Sequence, residues 1–182
     1  FLEHMAFNGS ANFPPGSVVD FFQGLGLTFG RHQNATTTFD RTNFRLEMPD
    51  NTAGTVDKAL MFIADVAGGL TLPAEEIDKE RGIILEEKRT RLGAQQRVQE
   101  AWLRRIAPGS LLGDRIPIGT EATITGVTRQ DFLDYYGTWY TPSNMAVLMV
   151  ADMDAGKMVE MLRARFGAGP RRDRPTDQDI RV

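Results

Sequence analysis

Glu3 and His4 stand side by side in the opening FLEHMAF, and both are side chains that metal-assisted chemistry uses. On a helix, residues four apart share a face. A histidine just before Phe1 would therefore stand one turn from His4 and complete H-F-L-E-H. Two imidazoles so placed can grip one zinc ion, and a Glu in the turn between them can take a proton from water held there. The arrangement is the reverse of H-E-x-x-H and follows the same physical logic. That first histidine is inferred, since the chain opens on Phe1. By itself, a Glu-His pair is more simply a solvated Glu beside a core or surface histidine.

A second group lies further along. Glu80 and Glu87 are seven residues apart, which on a helix leaves them only about 20° apart around the axis. Ile83 and Ile84 stand between them in sequence and flank them on the helical wheel, so both carboxylates are expected in an apolar wedge, with Glu86 pointing away. A carboxylate on a core-facing stripe is costly unless something positive meets it. A zinc ion would do so, and so would an Arg or Lys partner such as Arg81 or Arg89. Imidazole and carboxylate donors from two helices, with one open position, fit catalytic rather than structural zinc.

The elements that must position these groups follow from periodicity and breakers. Residues 1–7 read as the last turns of a helix, closed by Asn8-Gly9. Pro14-Pro15-Gly16 is a turn, and Ser17 is an expected N-cap for a helix through Gly24. Strands are expected near 27–37 and 42–49, joined at Phe39-Asp40-Arg41. Helices are expected at 54–68, from Pro73 to about Leu92, near 95–106, from Thr128 through Tyr136, and over 154–166. The stretch 109–126 reads as irregular, and 144–151 (NMAVLMVA) as a fully buried strand. Strands and helices in this order imply an α+β domain, with helices packed on one face of a mostly antiparallel sheet.

Composition narrows the classes. The 182 residues are 41% hydrophobic and 25% charged, an ordinary globular balance. The net charge of −3 is small and the signs are interleaved, so nucleic acid is not implied. No apolar run approaches the length of about 18 residues that a membrane span needs. There are no cysteines, which removes disulfides and thiolate metal sites. Because the first residue is Phe and not Met, the chain is expected to be a piece of something longer.

Five blocks then converge. FLEHMAFNGS, NFP, QNATTTFDRTNF, KERGIILEEKR and YYGTWYTPSNMAVLMVADMD resemble successive blocks of the pitrilysin/insulinase (M16-type) zinc peptidases, in the family's order and at compatible spacings. The resemblance covers residues 1 to about 168 and implies the metalloenzyme fold of the mitochondrial processing peptidase/insulinase domain. Residues 1–168 would be an N-terminal peptidase domain entered after its first histidine, and 169–182 a linker or the start of the next segment. It further implies Glu3 as general base, His4 and Glu87 as zinc ligands, and Glu80 as a supporting carboxylate. Asn34, Ala35, Thr36 and Thr37 resemble the edge strand on which the family lays its peptide substrate. Asn34 would add a side-chain hydrogen bond near the scissile carbonyl.

The implied activity is zinc-dependent endopeptidase cleavage of peptides or small unfolded proteins. The alternative is a non-catalytic structural or partner subunit of the same family. One Zn2+ per intact site is implied, along with a homologous second half-domain or partner subunit. Without the first histidine and that half, the fragment is expected to be inactive and to bind zinc weakly or not at all. The flavour of HMAFNG and NFP resembles exported bacterial enzymes, which implies a periplasmic location. Of the remaining candidates, His32 is expected on a solvent-facing strand position. Trp139, Tyr140, Pro142 and Asn144 are expected to form a packed corner. Arg89 and Arg91 are either surface charges or balance for the site, and Asp152 and Asp154 end a strand and cap a helix.

Overall fold

A computed structural model describes residues 1–28, 30–91, 93–167, 173 and 175. The opening helix, α1 (Leu2–Met5), is a single turn with Leu2 and Met5 buried. It is followed by α2 (Ser17–Gln23) and by a hairpin of β1 (Gln33–Thr37) and β2 (Thr42–Leu46). Then come α3 (Ala53–Gly68), α4 (Ala74–Arg91), α5 (Ala94–Ile106), α6 (Glu121–Gly126), α7 (Arg129–Trp139) and α8 (Ala155–Phe166). The sheet is antiparallel, with Ala35 opposite Phe44 and Thr37 opposite Thr42. The expected α+β class holds, with the described sheet reduced to two strands.

Layering is set by α1, which packs between β1 on one side and α4 on the other. Beneath it, Phe62 of α3 gathers the rings of Phe7, Phe13 and Phe22 at centroid distances of 5.7, 5.9 and 5.3 Å. The same core takes in Leu2, Met5, Ile77 and Phe132, so α7 belongs to it as much as α1 does. Aromatic burial on this scale dominates core energetics.

Three local devices hold the chain on either side of α1 and α4. Gly9 sits at φ 124°, and a Cβ there would lie 2.9 Å from Thr71 Oγ1, so only glycine fits. Asp65 of α3 is buried and accepts from Ser10 Oγ (2.6 Å), Asn12 N (2.8 Å) and Asn12 Nδ2 (2.8 Å), which fixes the loop leaving α1. Leu72, just before α4, adopts a left-handed backbone (φ 47°). Its complete burial and a 2.7 Å hydrogen bond from Arg129 Nε to its carbonyl hold it there.

Several elements differ from expectation. Gly16, at φ 80°, and not Ser17, precedes α2; Ser17 is its first residue and donates from Oγ to Pro14 O. The first strand starts at Gln33, because the chain before it turns, Gly30 N donating to Gln33 O and His32 N to Thr28 O. The stretch 109–126 is more regular than its turn residues suggest. It holds a 3-10 turn at Leu111–Gly113 and α6, which a Thr120/Thr123 capping box starts. The run 144–151 is no strand and is not buried: Leu148 is 86% and Val150 97% exposed, since no described strand lies beside it to pair with. The corner before it packs through half-buried Trp139 and Tyr140 and buried Thr141, while Pro142 and Asn144 are exposed. Asp154 does cap α8, accepting from Lys157 N at 2.9 Å. The linker expected at 169–182 lies outside the described residues, apart from 173 and 175. Among the described residues, no helix is long and apolar enough to cross a membrane.

Tyr136 ties α7 to the end of α3, its hydroxyl donating to Val66 O (2.8 Å) and accepting from Leu70 N (3.3 Å). Burial pushes that hydroxyl up to about 12. A raised tyrosine pKa favours the folded state fully below the unfolded value of about 10 and loses that contribution as pH rises toward about 12. Tyr136→Phe is expected to cost about 1 kcal/mol at neutral pH and to lessen the alkaline loss. Urea unfolding at pH 7 and about pH 11 measures both, and an unchanged alkaline loss contradicts the assignment.

Candidate metal centre and cleft

Packing α1 between α4 and β1 brings four of the sequence-marked side chains together. His4 Nδ1 lies 2.8 Å from Glu80 Oε1. His4 Nε2 lies 3.4 Å from Glu87 Oε2. On the other side of α1, Thr37 of β1 donates its hydroxyl to Glu3 Oε2. Glu3 is thereby tied to the strand, and His4 to the helix.

The carboxylate wedge on α4 is real but turned slightly. Ile77, Glu80 and Ile84 are buried, Glu87 is half-buried, and Ile83 is 55% exposed. The buried stripe thus runs through Ile84 alone between the two carboxylates. Glu86 faces outward and pairs with Arg89 at 3.6 Å. The cation that meets Glu87 is Arg91, at 2.5 Å. Arg81 serves elsewhere, donating to Ile124 O and, at 2.5 Å, to Val127 O.

Glu80 is the most enclosed of the group. Burial alone would push its carboxyl up; hydrogen bonds from His4 and from Asn8, whose Nδ2 donates at 2.7 Å, outweigh that and hold it below the usual carboxylate range. An ionised Glu80 only accepts, so the 2.8 Å contact places a proton on His4 Nδ1. The 3.4 Å between His4 Nε2 and Glu87 Oε2 matches the separation of about 3.4 Å between two donors bound to one tetrahedral zinc at about 2.0–2.1 Å each. Among the described residues, no three His, Asp, Glu or Cys side chains are placed to share a metal. His4 and Glu87 supply two donors.

A cleft of about 200 Å³ opens over this group, with Glu3, His4 and Glu87 facing Ala35, Thr36 and Thr37. Thr38 N donates to Arg41 O and Glu47 N to His32 O. With the observed register, the even-numbered residues of β1 therefore bond to β2, and Ala35 and Thr37 direct their backbone groups to the outer edge, while the carbonyl of buried Gln33 is taken by Gly30 N. Asn34 does not line the cleft; its Oδ1 accepts from Ala35 N at 2.9 Å. His32 lies in the preceding turn, half-buried, with Nδ1 accepting from Thr28 N.

Sequence reasoning missed two supports. Asn8 stands four residues from His4, and that spacing was its signal. Asp65, three residues from Phe62 on the buried face of α3, could have been found by the argument that marked Glu80.

Glu80→Ala leaves Asn8 Nδ2 and His4 Nδ1 without their acceptor. It is expected to cost about 1–3 kcal/mol of stability, read from the urea midpoint. A cost under about 0.5 kcal/mol, the scale of an ordinary surface substitution, would show that the pair is solvated.

The sequence matches a model described as "Insulinase (Peptidase family M16)" over residues 1–107, and one described as "Peptidase M16 inactive domain" over 126–182. It is 31% identical over 170 residues to the "Probable zinc protease PqqL" of Escherichia coli K12, covering 93% of this chain and 18% of that protein. A "Zinc protease PQQL-like" of Arabidopsis thaliana is 31% identical over 166 residues, covering 91% and 17%. The crystal structure of the first half of the periplasmic protease PqqL from Escherichia coli superposes with a TM-score of 0.91 at 28% identity, covering 98% of this chain and 38% of that one. Pitrilysin, at 22% identity and a TM-score of 0.80, shares the fold. The chain spans under a fifth of the length of these two curated relatives.

Proposed function

The chain belongs to the insulinase family of peptidases, peptidase family M16, and on that premise we propose that its parent protein is a zinc-dependent endopeptidase. The observation that carries the reading is the His4 imidazole. Glu80 holds it by Nδ1 and leaves Nε2 3.4 Å from Glu87, as two ligands of one ion would stand. Zinc would be held by His4 and Glu87, with a third ligand from a histidine bonded to Phe1. Phe1 lines the cleft beside Glu3, His4 and Glu87. A residue joined there would thus enter beside these carboxylates. Zinc bound there supplies a Lewis acid that polarises a peptide carbonyl and acidifies water.

The chain's own residues do the rest. Glu3 takes the proton of the attacking water and passes it to the amine nitrogen as the C–N bond breaks. Thr37 orients that carboxylate by its hydrogen bond to Oε2. The outward backbone groups of Ala35 and Thr37 pair with an extended peptide, which selects shape more than sequence. Asn34 releases Ala35 N when the peptide takes it. Residues 1–168 form the peptidase domain in this reading, since α7 shares the core of α1. A homologous second half closes the cleft, and the site of action is the periplasm, by similarity to the periplasmic protease PqqL. A non-catalytic subunit of the same family is the other reading; Glu3, His4 and Glu87 on one cleft, with Glu80 behind His4, weigh against it.

Glu3→Gln in the full-length protein is expected to lower cleavage of a quenched peptide by about 10²–10⁴-fold with zinc content unchanged. Equal rates for the two proteins refute the role of Glu3. The residue before Phe1 in the parent protein is expected to be His, and any other residue favours the non-catalytic reading. The 182-residue chain, with its two donors, is expected to bind zinc only weakly. A dissociation constant below about 1 μM by calorimetry contradicts that.

A further inference from the structure

Opposite β1, the cleft is walled by Ile84, Pro117 and Ile118. Ile84 is almost wholly buried, Ile118 is half-buried and Pro117 is exposed, so the wall is apolar and reachable. The segment that carries it is fastened to α4. Lys88 Nζ donates to Gly119 O at 2.7 Å, directly after Ile118. Arg81 donates to Ile124 O and Val127 O, at the far end of α6. Lys88 and Arg81 are seven residues apart, each next to one of the site carboxylates, Glu87 and Glu80. One rigid helix thus sets both the carboxylates and the wall. The remaining cation at the cleft, Arg91, is engaged by Glu87 at 2.5 Å.

An extended peptide on β1 points alternate side chains to opposite faces. One residue beside the bond over Glu3 and His4 therefore projects toward Ile84, Pro117 and Ile118. A charged or amide side chain there loses water against an apolar wall, and the ions beside that wall, Glu87 and Arg91, are already paired with each other. Resting on the peptidase reading, we infer that Pro117 and Ile118 are specificity-determining residues, which make the enzyme cut beside an apolar side chain. Lys88 is a positioning residue that keeps them in place.

The test uses the full-length protein and quenched peptides identical except for one residue, Leu, Ala, Lys or Asp, placed in turn on each side of the scissile bond. On one side, Leu is expected to exceed Asp and Lys in kcat/KM by about tenfold or more. Ile118→Ala is expected to cut the rate for Leu about tenfold while sparing the Ala peptide. Ile118→Asp is expected to shift preference toward Lys, and Lys88→Met to flatten the ratio without abolishing cleavage. Circular dichroism and turnover of the Ala peptide show that each variant folds. A wild-type preference for Lys or Asp on both sides, or variants that slow every peptide equally, overturns the inference and leaves the peptidase reading intact. A wild-type protein that cleaves none of the peptides overturns both.

Discussion

A buried carboxylate is the constraint to which the rest of the site answers. Glu80 gives up water on α4 and is repaid only because His4 and Asn8 reach it from α1 and the turn after it. Those contacts demand that a one-turn helix, too short to be stable alone, be held in one place. The aromatic cluster around Phe62 supplies the floor, and Asp65 fixes the exit with three hydrogen bonds. The geometry of His4 is therefore a product of the core as well as of its immediate neighbours.

Because α1 lies between a strand edge and a helix, its two adjacent chemical residues serve different neighbours. Glu3 is oriented by Thr37 on the strand side, and His4 by Glu80 on the helix side. In the proposed function, proton transfer and metal binding would thus fall to different layers of the same fold. A peptide laid along β1 would meet the base through the strand that holds it. A shift of the hairpin relative to α4 would disturb both at once, even with every side chain intact.

The site was legible where periodicity links residues along one helix. Glu80 and Glu87 could be placed on one face from spacing alone, and the buried Glu80 and half-buried Glu87 bear that out. What spacing cannot supply is partners across elements. Nothing in the sequence pairs Thr37 with Glu3 or Lys88 with Gly119, because such contacts depend on how separate elements dock. The helices Ala53–Gly68, Ala74–Arg91, Ala94–Ile106 and Ala155–Phe166 lie close to those expected from apolar stripes and breakers. NMAVLMVA reads as a strand for the same compositional reason, yet composition states only a preference; a strand exists where a neighbour accepts its hydrogen bonds. The wall at Pro117 and Ile118 was hidden in a stretch whose turn residues masked a capped helix.

That same run has a practical side. Met145 begins it in an extended conformation (φ −124°, ψ 153°), and Leu148 and Val150 stand almost fully in solvent. An apolar stretch that no described strand pairs with is a template on which other chains can stack. Colloidal behaviour, and with it the ease of preparing any piece of the protein that includes residues 145–150, is governed by whatever covers this stretch and not by the chemistry of the cleft.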